Sequence, residues 1–386
     1  MEQVLTITET GDEAAVRSIL RSYASDRLDP FAAQRDRDAV FPREVWADLA
    51  RLGVMGMRVS EERGGTAVSY RTVGIASEEI ARADFSCGYI VPQAALLGEL
   101  LDRFATPQVH EEWLPRFVDG SAVIGLGLTE SQGGSDAANV RTVAKPDSGS
   151  YVITGEKSGL SLIEVADAAI VVANVVRHGQ KVGPTAFLVP LDNPGVQRTH
   201  LEDMGARAMG RGMLYLSNVV VPDEYRIGEE GAALRNVFRG FNCSRVLLTL
   251  GALALAIRTV EETVEYLTQR VVFGKPLATR QALRFSLAEY WTRLDMARVY
   301  CYHTLGLRDM GRPHTSEAAG AKFLGCALAV DAVRECLLLH GHYGYTQDLP
   351  LERRLRDLIG SEIGDGTPHI GKMIVARELF ARGEAS

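Results

Sequence analysis

The chain has 386 residues, of which 46% are hydrophobic and 24% charged, a composition typical of a globular protein with two or three domains. Its net charge of −7 argues against nucleic acid or an anionic membrane surface as the main partner. The five cysteines are an odd number without a C-x-x-C pair, which favours free thiols over a disulfide framework or a metal site. No signal peptide and no apolar segment long enough to span a bilayer is evident, so we expect a cytoplasmic protein.

Residues 1–121 carry the apolar spacing of helices. The spacing is clearest in segments 44–52, 77–84 and 96–104, and the first of these ends at Gly53. Two adjacent glycines mark a turn within 61–65. This part of the chain is predicted to form an N-terminal helical domain.

The periodicity changes near residue 122. Short segments rich in β-branched or aromatic residues follow, separated by Gly, Asn, Asp and Pro, at 151–154, 168–175, 185–190 and 213–222. We interpret residues 122–228 as a small central β domain of the sandwich or barrel type.

Helical spacing returns in residues 229–386. Apolar residues three and four positions apart form one stripe from Leu250 to Val271. Further long helices are expected at about 280–309, 315–340 and 370–382, which favours an antiparallel four-helix bundle. The predicted fold class is therefore α+β with three domains: helical, β, and helical bundle.

The segment EIGDGTPH at 362–369 is the main local candidate for chemistry. Gly364 and Gly366 allow a tight turn and a close approach to a ligand. Thr367 can cap the helix that follows, and Pro368 suits its first turn. Asp365 is thus expected on a short loop beside a helix start, although a solvated Asp-Gly turn explains the same residues equally well.

Five segments in this layout resemble signature elements of the acyl-CoA dehydrogenase family. They are LTESQGGSD at 128–136, GEK at 155–157, RVVFGK at 270–275, GHYGY at 341–345 with RD at 356–357, and DGT at 365–367 with IVARE at 374–378. Each is weak alone, but together they occur in the family's order and at matching distances, and the resemblance spans essentially the whole chain.

The resemblance implies FAD-dependent oxidation of an acyl thioester, in which a base removes the α-proton while the β-carbon delivers hydride to the flavin. It assigns Asp365 as the base, with its own N–H as an oxyanion donor. It also assigns two sets of binding residues. The FAD set, with Arg270 reaching the pyrophosphate from a neighbouring subunit, is Leu128, Thr129, Ser161, Arg270, Phe273, Gln281, Leu338, Gly341, His342, Thr367 and His369. The substrate set is Ser135, Asn242, Arg245 and Gly366.

Plain structural interpretations stay open for three of these residues. Arg270 also fits a solvated arginine at a helix end, Ser135 a turn residue, and Arg245 a charge near a helix start. No metal is expected.

Several positions depart from the family pattern. Asp365 stands where a glutamate is usual and is one methylene shorter, a difference that matters at a reacting centre. Gly159 stands where an aromatic residue usually packs against the flavin, leaving volume for another side chain, water or a larger acyl group. Asn242 replaces an aspartate, and Leu338 and His342 replace a glutamine and a glycine.

Together with segments 205–212 and 238–245, the first two departures resemble the branch that acts on alicyclic acyl-CoAs and polyketide-precursor thioesters. The expected substrate is an unusual acyl group, branched or cyclic, on CoA or acyl carrier protein. An electron-transfer flavoprotein or oxygen is the expected electron acceptor, and a homotetramer or dimer the expected assembly.

Other functions fit the same fold. A flavin monooxygenase would lack the carboxylate base, a remote desaturase would give an olefinic polyketide building block, and a scaffold would use Asp365 only as a turn residue. The presence of Thr129, Arg270 and Asp365 together favours the dehydrogenase.

Overall fold

The computed structural model describes residues 9–384. Residues 1–8 and 385–386, the outer ends of the first and third predicted domains, lie outside the described residues.

Helices make up the first part of the chain, as predicted. They are α1 (Gly11–Tyr23), α2 (Ala32–Asp38), α3 (Arg43–Arg51), α4 (Tyr70–Ala83), α5 (Phe85–Gly88), α6 (Ile90–Phe104), α7 (Pro107–Glu112) and α8 (Leu114–Val118). Local signals set their starts: the Thr10 side chain and Glu13 form a reciprocal capping box on α1. The Ser69 side chain caps α4 by accepting a hydrogen bond from the Thr72 N–H. The predicted helical segments lie in α3, α4 and α6.

The central domain is one open sheet. Its strands are β1 (Ile124–Gly127), β2 (Val143–Asp147), β3 (Ser150–Leu160), β4 (Ala168–Arg177), β5 (Gln180–Pro190), β6 (Val196–His200), β7 (Gly212–Pro222) and β8 (Arg226–Ile227). The order is β6-β7-β3-β2-β4-β5-β8, and β1 pairs in parallel with β4. The path ends at β6 and β8, so the sheet does not close into the barrel that the sequence analysis allowed.

A break in the β3–β7 pairing shapes the edge of this sheet. The register shifts between Lys157 and Leu160, and Gly159 within the break has φ +69°. Only glycine adopts such a φ without strain, so the chain can bend here and direct residues 158–161 toward the helical domains.

Long helices return in the C-terminal part. The elements are α9 (Ala233–Gln269), a small hairpin of β9 (Val271–Val272) and β10 (Lys275–Pro276), α10 (Gln281–Asp309), α11 (Thr315–Leu339), α12 (Leu351–Ile363) and α13 (Pro368–Glu384). The four long helices were predicted, whereas α12 was not. The sequence analysis found no segment able to span a membrane, yet α9 is long and apolar enough by composition; 83% of its apolar window is buried inside the protein, as in a core helix.

The three parts share a continuous core and are tied by buried ionic contacts. Glu78 on α4, almost fully buried, accepts hydrogen bonds from Arg17 on α1 and from Arg298 and Tyr302 on α10. The Asp357 carboxylate on α12 accepts the Ala206 N–H at 2.7 Å, and burial raises the pKa of Asp357 to about 7. Because α12 is fixed to the β domain in this way, the loop at its end has a defined position.

Candidate active site

Asp365 lies on the four-residue loop between α12 and α13, residues 364–367. The residue has φ +54°, in the left-handed region, and Gly366 follows with φ +105°. Pro368 is the first residue of α13, and the Thr367 carbonyl accepts the Gly371 N–H at 3.1 Å, so Thr367 precedes the helix as predicted. Asp365 is half-buried.

Two side chains from consecutive positions of α9 contact Asp365. Ser244 Oγ donates a hydrogen bond to Asp365 Oδ2 at 2.5 Å, and Arg245 Nε donates to the Asp365 carbonyl at 2.8 Å. In the part of the chain that the structure describes, Oδ1 and the backbone N–H of Asp365 have no hydrogen-bond partner. One carboxylate oxygen and one backbone donor are therefore free to meet a ligand.

A buried lysine holds the same loop from α11. Lys322 is 2% exposed, and its Nζ donates to the carbonyls of Glu362 and Gly366, each at 2.7 Å. Burial lowers the pKa of this ammonium, with the Asp365 charge acting in the opposite direction. Sequence reasoning missed Ser244 and Lys322; the one available signal was a lone lysine in the apolar run AAGAKFLGCALA.

Three of the four predicted substrate-binding residues lie at this loop: Gly366 within it, Arg245 bonded to it, and Asn242 bonded to Arg245. Arg245 Nη1 donates to Asn242 Oδ1 at 3.0 Å, and Asn242 Nδ2 donates to Thr315 Oγ1 at 3.1 Å. Burial lowers the pKa of Arg245, with the Asp365 charge opposing it. Arg245 Nη2 would lie 3.6 Å from a Cβ added at Gly366, so three predicted substrate residues (Asn242, Arg245 and Gly366) meet at the loop. Ser135 lies apart, exposed in the segment after β1.

The segment predicted to face the flavin ring follows β1. Leu128 is buried and Thr129 exposed. The Leu128 carbonyl accepts from Lys157 Nζ at 3.1 Å, and the Thr129 carbonyl accepts the Ser158 N–H at 2.9 Å. These contacts bring 128–129 beside 157–158, three positions before half-buried Ser161, so the three predicted ring contacts lie in neighbouring segments of the β domain.

A buried ion pair fixes this segment. Lys157 Nζ lies 2.7 Å from Glu130 Oε1, and the carboxylate also accepts the Thr142 hydroxyl at 2.6 Å and N–H at 2.9 Å. Burial opposes ionisation, but the hydrogen bonds from Lys157 and Thr142 lower the pKa of Glu130 to about 2. Burial lowers the pKa of Lys157 to about 8, because Glu130 offsets only part of the desolvation.

Arg211 occupies the space beside Gly159. A Cβ built on Gly159 would lie 3.0 Å from Arg211 Nη2, and Arg211 Nη1 lies 3.1 Å from Asp203 Oδ1. Of the three fillings considered for the missing aromatic residue, the structure shows a neighbouring side chain, that of Arg211.

The remaining predicted FAD residues form a separate exposed region. They are Arg270, Phe273, Gln281, Leu338, Gly341 and His342, at the end of α9, the hairpin, the start of α10 and the end of α11. Phe273 is 92% exposed, and the Arg270 guanidinium lies 5.9 Å from the Tyr343 ring centroid. His369 is exposed on the first turn of α13.

The chemistry of these residues fits FAD. Within residues 9–384, the hydroxyls of Thr129, Ser161 and Thr367 and the guanidinium of Arg270 make no hydrogen bond, so these groups are available to a ligand. Planar guanidinium donors suit phosphate oxygens, and hydroxyls suit the polar edge of a flavin ring. The exposed ring of Phe273 suits stacking on an aromatic or apolar surface.

A separate cavity of about 1100 Å³ lies between α2, the segment 200–207 and the start of α12. Its walls are charged, and several of the charges pair with each other: Arg356 with Asp36 and Glu352, and Arg354 with Glu262. It contains none of the predicted site residues.

Sequence comparison covers the chain in three consecutive parts. Residues 10–121 match the profile "Acyl-CoA dehydrogenase, N-terminal domain", residues 125–219 the "middle domain", and residues 234–380 the "C-terminal domain". Bovine (Bos taurus) mitochondrial short-chain specific acyl-CoA dehydrogenase is 32% identical over 368 residues, covering 95% of this chain and 89% of the relative. This chain belongs to the acyl-CoA dehydrogenase family.

Two solved acyl-CoA dehydrogenase folds extend the comparison. Glutaryl-CoA dehydrogenase from Mycobacterium smegmatis, in complex with FADH2, is 27% identical with a TM-score of 0.90, covering 96% of this chain and 95% of that one. The prolyl acyl carrier protein oxidase AnaB is 25% identical with a TM-score of 0.90, covering 96% of this chain and 100% of that one. As an acyl-CoA dehydrogenase, the chain is an FAD-dependent oxidoreductase that acts on CH–CH groups.

Proposed function

We propose that this acyl-CoA dehydrogenase oxidises an unusual acyl thioester, branched, cyclic or from a polyketide-precursor pathway, with Asp365 as the base. The observation that carries the proposal is the Asp365 carboxylate: Ser244 binds Oδ2, and Oδ1 has no partner among the described residues. A carboxylate with one oxygen anchored and the other free is suited to accept a proton from a carbon held in front of it.

The loop also provides for the charge that develops during proton removal. An α-proton becomes removable only when negative charge on the thioester oxygen is stabilised. The backbone N–H of Asp365 is unpaired within residues 9–384 and belongs to the same residue as the base. We assign it the oxyanion role, so one strained residue would serve both proton removal and charge stabilisation.

Bound FAD supplies the acceptor for the β-hydride. Leu128, Thr129 and Ser161 would contact its ring. Thr367 on the catalytic loop and His369 in the first turn of α13 would contact the same FAD. Arg270, Phe273, Gln281, Leu338, Gly341 and His342 would contact the FAD of a neighbouring subunit. The ring of Phe273 is 92% exposed in the single chain and is therefore accessible to a ligand at such a shared site. We therefore propose a homo-oligomer, a tetramer or dimer, in the cytoplasm.

The length of the base supports an unusual acyl group. Aspartate carries its carboxylate one methylene closer to the backbone than glutamate, so the α-carbon must approach the loop more closely or present its proton from another direction. An acyl group on CoA or acyl carrier protein fits the proposal, and the oxidase AnaB bears a carrier-protein substrate in its name. An electron-transfer flavoprotein or oxygen would reoxidise the flavin.

Anaerobic reduction of the flavin tests this function directly. Butyryl-CoA, isobutyryl-CoA, cyclohexanecarboxyl-CoA and the prolyl thioester of an acyl carrier protein are mixed with the FAD-loaded enzyme, and bleaching of the flavin band is followed. A branched or cyclic thioester should bleach the flavin at least about tenfold faster than butyryl-CoA. Faster bleaching by butyryl-CoA, or none with any thioester, would exclude the proposed substrate class.

Replacing Asp365 with glutamate tests the spacing argument. The longer side chain moves the carboxylate by roughly 1 Å, and a shift of that size can change a rate about 100-fold. We expect the bleaching rate with cyclohexanecarboxyl-CoA to fall and the ratio of straight-chain to cyclic rates to rise about tenfold or more. Unchanged rates with both thioesters would show that base length does not set the substrate.

A further inference from the structure

Asp365 has a backbone conformation that it does not adopt readily by itself. A left-handed φ is unfavourable for an L-residue, less so for aspartate, and such strain persists only when surrounding contacts impose it. Glycines flank Asp365 on both sides, and Gly366 has φ +105°, yet the non-glycine Asp365 also has a positive φ of +54°. The contacts that impose this conformation therefore also determine where the carboxylate points.

Two cationic side chains hold the carbonyls of this loop. Arg245 on α9 binds the Asp365 carbonyl at 2.8 Å, and Lys322 on α11 binds the Gly366 carbonyl at 2.7 Å. Lys322 also binds the Glu362 carbonyl, which belongs to the last turn of α12 and has lost its helical donor. Burying an ammonium at 2% exposure is costly, and the carbonyl dipoles of a helix end offset that cost.

Ser244 acts on the carboxylate itself. It is 6% exposed, and its hydroxyl donates to Oδ2 at 2.5 Å. Ser244 and Arg245 are adjacent on α9, so one helix turn fixes both the backbone and the side chain of Asp365. The single hydroxyl donor at Oδ2 leaves the other oxygen to the substrate.

We propose that Ser244 and Lys322 are positioning residues for the reaction of this site: Lys322 with Arg245 fixes the strained Asp365 backbone, and the Ser244 hydroxyl turns the carboxylate so that Oδ1 faces the α-carbon. The inference rests on the proposed role of Asp365 as the base. Ser244 and Lys322 act through Asp365 and need not touch the thioester. Their loss should therefore slow proton removal and leave thioester binding nearly unchanged.

Single-turnover reduction separates these two effects. FAD-loaded Ser244→Ala, Ser244→Thr and Lys322→Met enzymes are mixed anaerobically with saturating cyclohexanecarboxyl-CoA or butyryl-CoA, and crotonyl-CoA binding is measured by the change in the flavin spectrum. Ser244→Ala should lower the limiting bleaching rate about 10–100-fold while the crotonyl-CoA Kd changes less than about threefold. Ser244→Thr keeps the hydroxyl and should recover most of the rate. Lys322→Met should lower the rate at least as much as Ser244→Ala.

Ser361→Ala is the matched control. Ser361 on α12 is also buried, but its hydroxyl donates to the Leu358 carbonyl of its own helix at 2.6 Å and has no hydrogen bond to the 364–367 loop. The bleaching rate of Ser361→Ala should stay within about twofold of the parent rate. If Lys322→Met fails to fold, the comparison of Ser244→Ala with Ser244→Thr still tests the positioning role.

The outcomes separate this inference from the proposed function. If Asp365→Asn abolishes bleaching but Ser244→Ala matches the parent, Asp365 is the base and the positioning role is wrong. The positioning role is also wrong if Ser244→Thr does not recover the bleaching rate lost in Ser244→Ala. It is wrong too if Ser244→Ala changes only the crotonyl-CoA Kd. If Asp365→Asn itself bleaches at the parent rate, the proposed function and the positioning role both fail.

Discussion

Replacing Asp365 with asparagine should slow reduction of the bound flavin by a thioester about 10³-fold or more, while FAD stays bound. Asparagine tolerates the left-handed backbone, and its amide oxygen can accept the Ser244 hydroxyl that Oδ2 accepts in the parent. The substitution thus preserves the loop and removes only the ability to take a proton. Stopped-flow bleaching with each thioester measures the rate, and the visible spectrum measures the FAD content.

Two further variants are compared with Asp365→Asn. Asp348→Asn, at an exposed position near the start of α12, should leave the bleaching rate unchanged and controls for the loss of one negative charge. Asp365→Ala should abolish bleaching too, with the protein still yellow. A rate for Asp365→Asn within tenfold of the parent would show that another group removes the proton and that Asp365 only shapes the loop.

Regular periodicity explains which helices could be predicted. The α9 stripe continues to Leu267, and most of that helix is buried. Its last predicted member, Val271, lies instead in the β9–β10 hairpin, because the helix ends at Gln269. An apolar spacing shows which residues share a face, but it does not show where the backbone leaves the helix.

Two elements were missed for different reasons. The α12 segment LERRLRDLIGSEI is rich in charge, but its apolar residues at 351, 355, 358, 359 and 363 have helical spacing that the sequence analysis did not use. Strand β1, with sequence IGLG, has two glycines and only four residues, so neither propensity nor alternation marks it. Both elements are stabilised chiefly by tertiary contacts.

Local sequence patterns likewise predicted one part of the candidate site and missed another. The Asp365 loop was visible because glycine, threonine and proline have local backbone consequences, and the resemblance supplied the role. Ser244 and Lys322 lie 121 and 44 positions from the residues they hold, so no local pattern could connect them. The filling of the Gly159 space by Arg211 likewise depends on the pairing of β3 with β7, which the sequence analysis left undefined.

Lys157→Met should lower the free energy of unfolding by about 3–5 kcal/mol at pH 7, the largest stability change we expect in the flavin-facing segment. Lys157 is fully buried, and its loss leaves the Glu130 carboxylate buried without a cation. The Leu128 carbonyl also loses its donor. Urea unfolding of the FAD-loaded enzyme at fixed protein and FAD concentrations measures the change.

The loss of unfolding free energy in Lys157→Met should depend on pH because Glu130 titrates. In the parent its pKa is about 2, below the ordinary 4.5, so its contribution is fully present above about pH 4.5 and is lost as pH falls toward 2. In Lys157→Met the unpaired buried carboxylate should have a raised pKa and take up a proton above pH 4.5 on folding. The variant's deficit relative to the parent should therefore shrink as pH falls from 7.5 to 5.

The double variant Glu130→Gln/Lys157→Met isolates the charge. Glutamine is neutral, and its one oxygen can still accept the Thr142 hydroxyl and N–H. The Arg141 N–H, which donates to the other oxygen of Glu130, loses its acceptor, but no buried charge is left without a partner. Its unfolding free energy should exceed that of Lys157→Met at pH 7, and its difference from the parent should not change between pH 7.5 and 5. A double variant no more stable than Lys157→Met would mean that Lys157 acts through packing and the Leu128 carbonyl. Since Leu128 and Thr129 are the residues expected at the flavin ring, FAD affinity should then fall equally in both variants.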